Sequence, residues 1–128
     1  MKIAVAGVGY VGLVTAVTLA DVGHDVICLD VDKGKLKMLK EGISPIYEYG
    51  LKELMLKNRE RLEFTDDVTK YSEAQVIIIG VGTPEKEDGS ADLSAVFSVA
   101  DSIADNCSDG AVVVVKSTVP IGTCESVH

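Results

Sequence analysis

The chain has 128 residues and a mass of 13.5 kDa, enough for one domain that buries roughly two-thirds of the surface its unfolded form exposes. Twelve basic against twenty acidic residues give a formal charge of −8. That balance repels nucleic-acid backbones and anionic lipid surfaces, so any anionic ligand must be gripped by local geometry.

From the N-terminus, Ile3 to Ala20 is a run without a single charge, long enough to suggest a membrane span or, after Lys2, a secretory signal. Glycine spacing decides against both. Gly7-x-Gly9-x-x-Gly12 puts three glycines where each costs about 1 kcal/mol of helix stability, whereas a phosphate-binding turn requires them. The run therefore divides into a strand over Lys2 to Ala6, a turn, and a helix with apolar positions through Val14, Val17, Leu19 and Val22, closed by Gly23. His24 to Asp30 reads as a second buried strand and Lys33 to Lys40 as a short basic helix. Pro45 and Gly50 make a loop of the next stretch.

Leu51 to Arg59 forms a further helix, and Leu62 to Thr65 a third strand. Asp66 or Asp67 caps a brief helix. Gln75 to Gly80 is apolar and β-branched enough for a central parallel strand buried on both faces. A polar loop leads to Asp92, the expected N-cap of a helix from Leu93 to about Cys107. Ala111 to Val115 is the fifth strand, leading into Lys116 to Thr123 and the start of one more helix. Strands alternate with helices throughout, which predicts an α/β, doubly wound parallel sheet of Rossmann type over residues 1–128, ending before a sixth strand.

In a dinucleotide fingerprint the first glycine allows the tight turn, the second lets the backbone approach a pyrophosphate, and the third lets helix and strand pack closely. Gly7, Gly9 and Gly12 take those places. The free N–H groups and dipole at the helix start supply the positive potential that the acidic chain lacks. Asp30, at the end of the second strand, stands where a carboxylate accepts from the adenosine ribose hydroxyls and repels a 2′-phosphate, which favours NAD over NADP. No metal site is expected, because Cys28, Cys107 and Cys124 lack metal-ligand spacing and His24 and His128 lie far apart in sequence. The odd cysteine count suits reduced thiols in a cytoplasmic protein.

With these elements placed, the chain resembles the cofactor domain of the UDP-glucose 6-dehydrogenase family, which includes GDP-mannose and related nucleotide-sugar dehydrogenases. The likeness is carried by GVGYVG (Gly7 to Gly12), DVDKGK (Asp30 to Lys35), SPIYEYGL (Ser44 to Leu51), GVGTP (Gly80 to Pro84), ADLSAV (Ala91 to Val96) and KSTVPIGT (Lys116 to Thr123). It implies oxidation of a sugar's primary alcohol, the C6 hydroxyl of UDP-glucose, to the carboxylate of UDP-glucuronate in two NAD-dependent steps. It also implies cofactor contacts from Gly7, Val8, Gly9, Tyr10, Val11 and Gly12 along the pyrophosphate, Asp30 and Lys35 at the adenosine ribose, and Gly82, Thr83, Ser117 and Thr118 from the fourth and fifth strands. For Thr118 the family suggests an auxiliary catalytic hydroxyl that positions a water or oxyanion; by its residue type alone it serves equally as a helix N-cap. Lys35, without the motif, is a solvated helix residue.

The family's cysteine nucleophile lies in later segments, with a lysine and most nucleotide-sugar contacts, so this chain alone is expected to be inactive. Its own cysteines do not substitute. Cys28 falls in a strand and Cys107 at a helix end, while Cys124, near the site, has no base or cation beside it in sequence to lower its pKa. Tyr47 and Tyr49 lie in a loop that either packs on the core or touches substrate, and Tyr49 stands where the family has proline. The resemblance further implies a nucleotide-sugar substrate and a homo-oligomer for the longer protein, with no nucleic-acid or membrane partner. Two other readings stay open: a non-catalytic NAD-sensing module, and the cofactor domain of a different hydride-transferring dehydrogenase.

Overall fold

The computed structural model describes all residues, Met1 to His128. Five strands form one sheet: β1 (Lys2–Ala6), β2 (Asp25–Leu29), β3 (Leu62–Thr65), β4 (Val76–Ile79) and β5 (Val112–Val115). All neighbouring strands run parallel, in the order β3-β2-β1-β4-β5. The helices are α1 (Tyr10–Asp21), α2 (Lys33–Lys40), α3 (Leu51–Lys57), α4 (Ser94–Asn106) and α5 (Thr123–Val127), with 3-10 turns at Arg59–Arg61 and Val68–Glu73. After β1 the chain winds outward through β2 and β3, then returns to lay β4 on the other side of β1. The crevice between the ends of β1 and β4 is therefore the topological switch point, where sheets of this kind bind ligands.

Strand alternation feeds two cores. Ile3, Val5, Val26 and Cys28 pack with Leu13, Val17 and Met55 on the face covered by α1 and α3. Ala4, Ala6, Ile27, Leu29, Ile77 and Ile79 pack with Tyr71, Val96 and Ile103 on the opposite face. Both faces of β1 are thus buried, so its sequence is almost wholly apolar. Leu13, Ala16, Val17 and Ala20 are the fully buried stripe of α1, at helical spacing. Its end follows the sequence: Gly23 has φ +106° and its N–H donates to the Ala20 carbonyl, while the His24 N–H donates to Leu19 O at 3.1 Å.

The uncharged opening run is consequently a short strand, a turn and most of a helix, and no helix is long and apolar enough to cross a membrane. Several boundaries move. The helix expected to Arg59 stops at Lys57 and tightens into the 3-10 turn. Asp92 does not occupy the cap position of α4; Leu93 does, and Asp92 Oδ1 instead accepts the Ser94 N–H at 3.0 Å one residue earlier. β4 is fully buried only through Ile77 and Ile79. Val76 and Ile78 sit at the margin of the α1 layer and remain half-buried.

The tightest constraint lies where α1 leaves the sheet. A Cβ on Gly12 would stand 1.8 Å from the Gly7 carbonyl oxygen, and one on Gly7, already at φ +99°, would stand 2.8 Å from the Gly80 carbonyl oxygen. Gly12→Ala is therefore expected to force strand and helix apart and to cost about 3 kcal/mol or more. Urea denaturation against the parent chain measures this, and a midpoint unchanged within error would refute it.

Candidate functional site

The turn after β1 holds four main-chain N–H groups, of Gly9, Tyr10, Val11 and Gly12, that donate to nothing within the chain. They are the unpaired donors of the first turn of α1. No acidic side chain lies in that turn to occupy them. Gly9, the N-cap, has ordinary extended geometry (φ −72°, ψ −167°), and a Cβ there would meet no atom within 4 Å. The space in front of Gly9 is open to a ligand, whereas Gly7 and Gly12 are required by the fold itself.

Asp30 lies directly beside this turn. Its Oδ2 accepts the Val8 N–H at 2.8 Å and its Oδ1 accepts the Asp32 N–H at 2.9 Å. The Gly7 N–H donates to Leu29 O at 2.8 Å, so the turn is tied to the end of β2 by main chain and side chain together. Each carboxylate oxygen accepts more than one hydrogen bond, and Asp30 lines the neighbouring cleft with acceptor capacity left for sugar hydroxyls. That cleft, about 220 Å³, runs along the switch point and is bounded by Ala6, Gly7, Leu29, Val31, Val81 and Tyr71 among others. Burial, and then the nearby Asp30 charge, push the Tyr71 phenol up to about 12, so it remains a neutral donor at any ordinary pH.

The loops after β4 and β5 are joined. The Ser117 hydroxyl donates to Val81 O at 2.7 Å, and the Thr83 hydroxyl donates to Thr118 O at 2.9 Å. Gly82, Thr83, Ser117 and Thr118 thus gather at the same strand edge. Thr118 does not cap a helix: that position belongs to Gly122, in left-handed geometry at φ +92°. Its exposed hydroxyl makes no hydrogen bond within the chain, unlike those of Thr83 and Ser117.

Other expected residues fall further out. Lys35 is half-buried in the first turn of α2, its main-chain N–H held by the Asp32 cap at 3.1 Å, and does not line the cleft. Tyr10 leans the other way, its hydroxyl bonded to Glu48, an acceptor that holds the phenol above its ordinary pKa. This contact ties the glycine turn to the Ser44 to Gly50 loop. In that loop Ile46 packs on the core, while Tyr47 and Tyr49 are each 94% exposed, so neither tyrosine packs there. Burial raises the Cys28 thiol to about 12, and neither Cys107 nor Cys124 borders the cleft. Sequence reasoning missed Val31, Asp66, Val68, Tyr71, Val81 and the α4 face bearing Ser98 and Ser102, all of which line the cleft. Residues immediately following each strand were the available signal, since parallel strands of one sheet end at one edge.

These features fit a dinucleotide: open amides for a diphosphate, room at Gly9, and a carboxylate next door. Residues 1–128 match, over their whole length, the NAD binding domain of the UDP-glucose/GDP-mannose dehydrogenase family. The chain is 51% identical to a UDP-glucose 6-dehydrogenase of Rhizobium meliloti and 47% identical to the UDP-glucose 6-dehydrogenase YwqF of Bacillus subtilis, covering 100% of this chain and 30% of each relative. Among solved structures, GDP-mannose dehydrogenase from Pseudomonas aeruginosa, in a ternary complex, superposes with a TM-score of 0.93 at 39% identity, over 99% of this chain and 30% of that one. UDP-D-ManNAc dehydrogenase from Pyrococcus horikoshii gives 0.94 at 34% identity, over 99% and 31%. The chain therefore spans about a third of the length of these proteins, and by sequence and fold it belongs to the UDP-glucose/GDP-mannose dehydrogenase family, as its NAD-binding domain.

Proposed function

We propose that this domain serves an enzyme that oxidises the C6 alcohol of UDP-glucose to the carboxylate of UDP-glucuronate, with two NAD reduced per sugar. The carrying observation is the clasp of Asp30 on the glycine turn, which sets an acceptor for ribose hydroxyls beside four unengaged amides. UDP-glucose is favoured over other nucleotide sugars by the names of the relatives at 51% and 47% identity. The solved neighbours named for GDP-mannose and UDP-D-ManNAc are less similar in sequence.

The geometry supports the following division of work. NAD, when bound, supplies the hydride acceptor. Gly9, Tyr10, Val11 and Gly12 hold its diphosphate through main-chain donors at a helix N-terminus, and Val8, fully buried, anchors the turn beneath them. Asp30 receives the ribose and excludes a 2′-phosphate by charge. Thr83 and Ser117 hold the loops after β4 and β5 together beside Gly82, and Thr118 offers its unengaged hydroxyl at the strand edge where a reacting group arrives. Lys35, outside the cleft, contributes positive potential near the adenosine end and no direct contact. On this reading the chain by itself binds NAD without reducing it.

Two experiments test the reading. In calorimetric titrations Gly9→Ala keeps the parent's melting temperature but loses NAD affinity by about tenfold or more, because its new methyl group fills only ligand space. Asp30→Asn weakens NAD binding by a similar factor and narrows the preference for NAD over NADP; Asn is chosen because Ala would also leave the Val8 N–H without an acceptor. NAD affinity unaltered in both variants would overturn the site. In a full-length polypeptide carrying this chain, UDP-glucose is expected to release two NADH per sugar, with GDP-mannose and UDP-N-acetylmannosamine far slower. The opposite order, read by absorbance at 340 nm, would overturn the substrate.

A further inference from the structure

The cleft that Asp30 lines is also lined by Val31, Val68, Val81 and Val99. Val31 is 93% exposed and Val68 is also in the open, so folding leaves apolar side chains facing water beside a cavity. A flat, apolar-faced group such as a nucleobase covers such walls. Its edge then needs polar partners, and these are sparse.

Asp66, the residue after β3, lines the same cleft. The carboxylates around it are already engaged. Asp67 accepts from the Thr69 N–H and hydroxyl at 3.0 and 2.6 Å, Asp32 caps α2, and Asp30 accepts from two main-chain donors. Asp66 accepts no hydrogen bond from the chain, and its nearest cation, Lys33 Nζ, stays at 3.9 Å with both side chains largely in solvent. An ion pair of that kind is weak, and it leaves the carboxylate oxygens available to a visitor.

We propose that Asp66 reads the base of the bound dinucleotide, accepting from the 6-amino group of adenine and thereby rejecting purines that carry a 6-oxo group. The proposal rests on NAD being the ligand of this cleft and adds the residue that selects its base. The chemistry is one-sided. An ionised carboxylate only accepts hydrogen bonds. Adenine presents a donor at position 6, whereas hypoxanthine and guanine present an oxygen there. With a 6-oxo purine the donor moves to N1 and two acceptors face each other at position 6, so discrimination at that contact comes from a repulsive element as well as an attractive one. Asp30 and Asp66 then act at two points of the same adenosine, one checking the sugar and the other the base.

The test uses NAD and nicotinamide hypoxanthine dinucleotide, which differ at that purine position, titrated calorimetrically into the parent chain, Asp66→Ala and Asp66→Asn. The parent is expected to bind NAD at least about tenfold tighter, the usual worth of a hydrogen bond to a charged group. Asp66→Ala brings the two affinities to within about twofold. Asp66→Asn, whose amide can turn either its oxygen or its nitrogen to the base, binds the hypoxanthine form more tightly than the parent does. Both variants still reject NADP, since Asp30 is untouched. An affinity ratio unchanged in Asp66→Ala, with NAD still bound, overturns the base assignment and leaves the cofactor reading standing. A parent chain that binds neither dinucleotide overturns both.

Discussion

Three stretches of main chain meet at the end of β1 with no side chain between them, and the rest of the molecule is arranged around that meeting. Gly7, Gly12 and Gly80 come from a turn, a helix and the end of β4. A Cβ on Gly80 would lie 3.3 Å from the Gly12 Cα, a tight contact though a milder one than those at the other two. Because α1 can settle this close to the sheet, Leu13 and Val17 reach the core under β1 and β2, and the helix N-terminus is held at the switch point. A single methylene there would lift the helix and displace the row of open amides. Packing and ligand geometry are thus set by one contact.

Electrostatics follows from the same placement. A protein with a charge of −8 has no field to draw in a diphosphate, and Asp30 adds a negative charge within hydrogen-bond distance of the turn. Two effects offset this. The α1 first turn carries no acidic side chain, so its dipole acts undiluted over the short range where helix termini matter. Asp30, for its part, is bound to two N–H donors, which delocalise its charge into the backbone and fix its position.

How much of this was legible in the sequence depended on whether a signal was local. β1, the glycine turn, Asp30, the closing Gly23 and the Lys33–Lys40 helix each rest on a few adjacent residues, and the structure places them as read. The likeness of six short segments to one enzyme family carried further than periodicity, since it brought Gly82, Thr83, Ser117 and Thr118 to the same edge before any sheet order was known. Gly80 was read only as the residue closing a strand, because its partner Gly12 is distant in sequence. Asp66, Tyr71, Val81 and the serines of α4 were invisible as a group for the same reason: only the crossovers bring them together. Asp92 misled as a cap because a short polar side chain before a helix satisfies more than one N–H pattern, and of the two readings open for Thr118 the cap fell to Gly122.

The hydroxyl groups at the strand edge divide into two that are engaged and one that is free. Ser117 and Thr83 each donate across the gap between the loops after β4 and β5, so their protons hold the two loops in register and are not free to move to a substrate. Thr118 is held by its carbonyl alone and keeps its hydroxyl free. The loop pair is thus fixed through two side chains while one adjacent hydroxyl is left unengaged. The cysteines match this division: Cys28 is buried with a thiol that stays protonated, and the other two stand away from the cleft. None of the three thiols therefore borders the cleft.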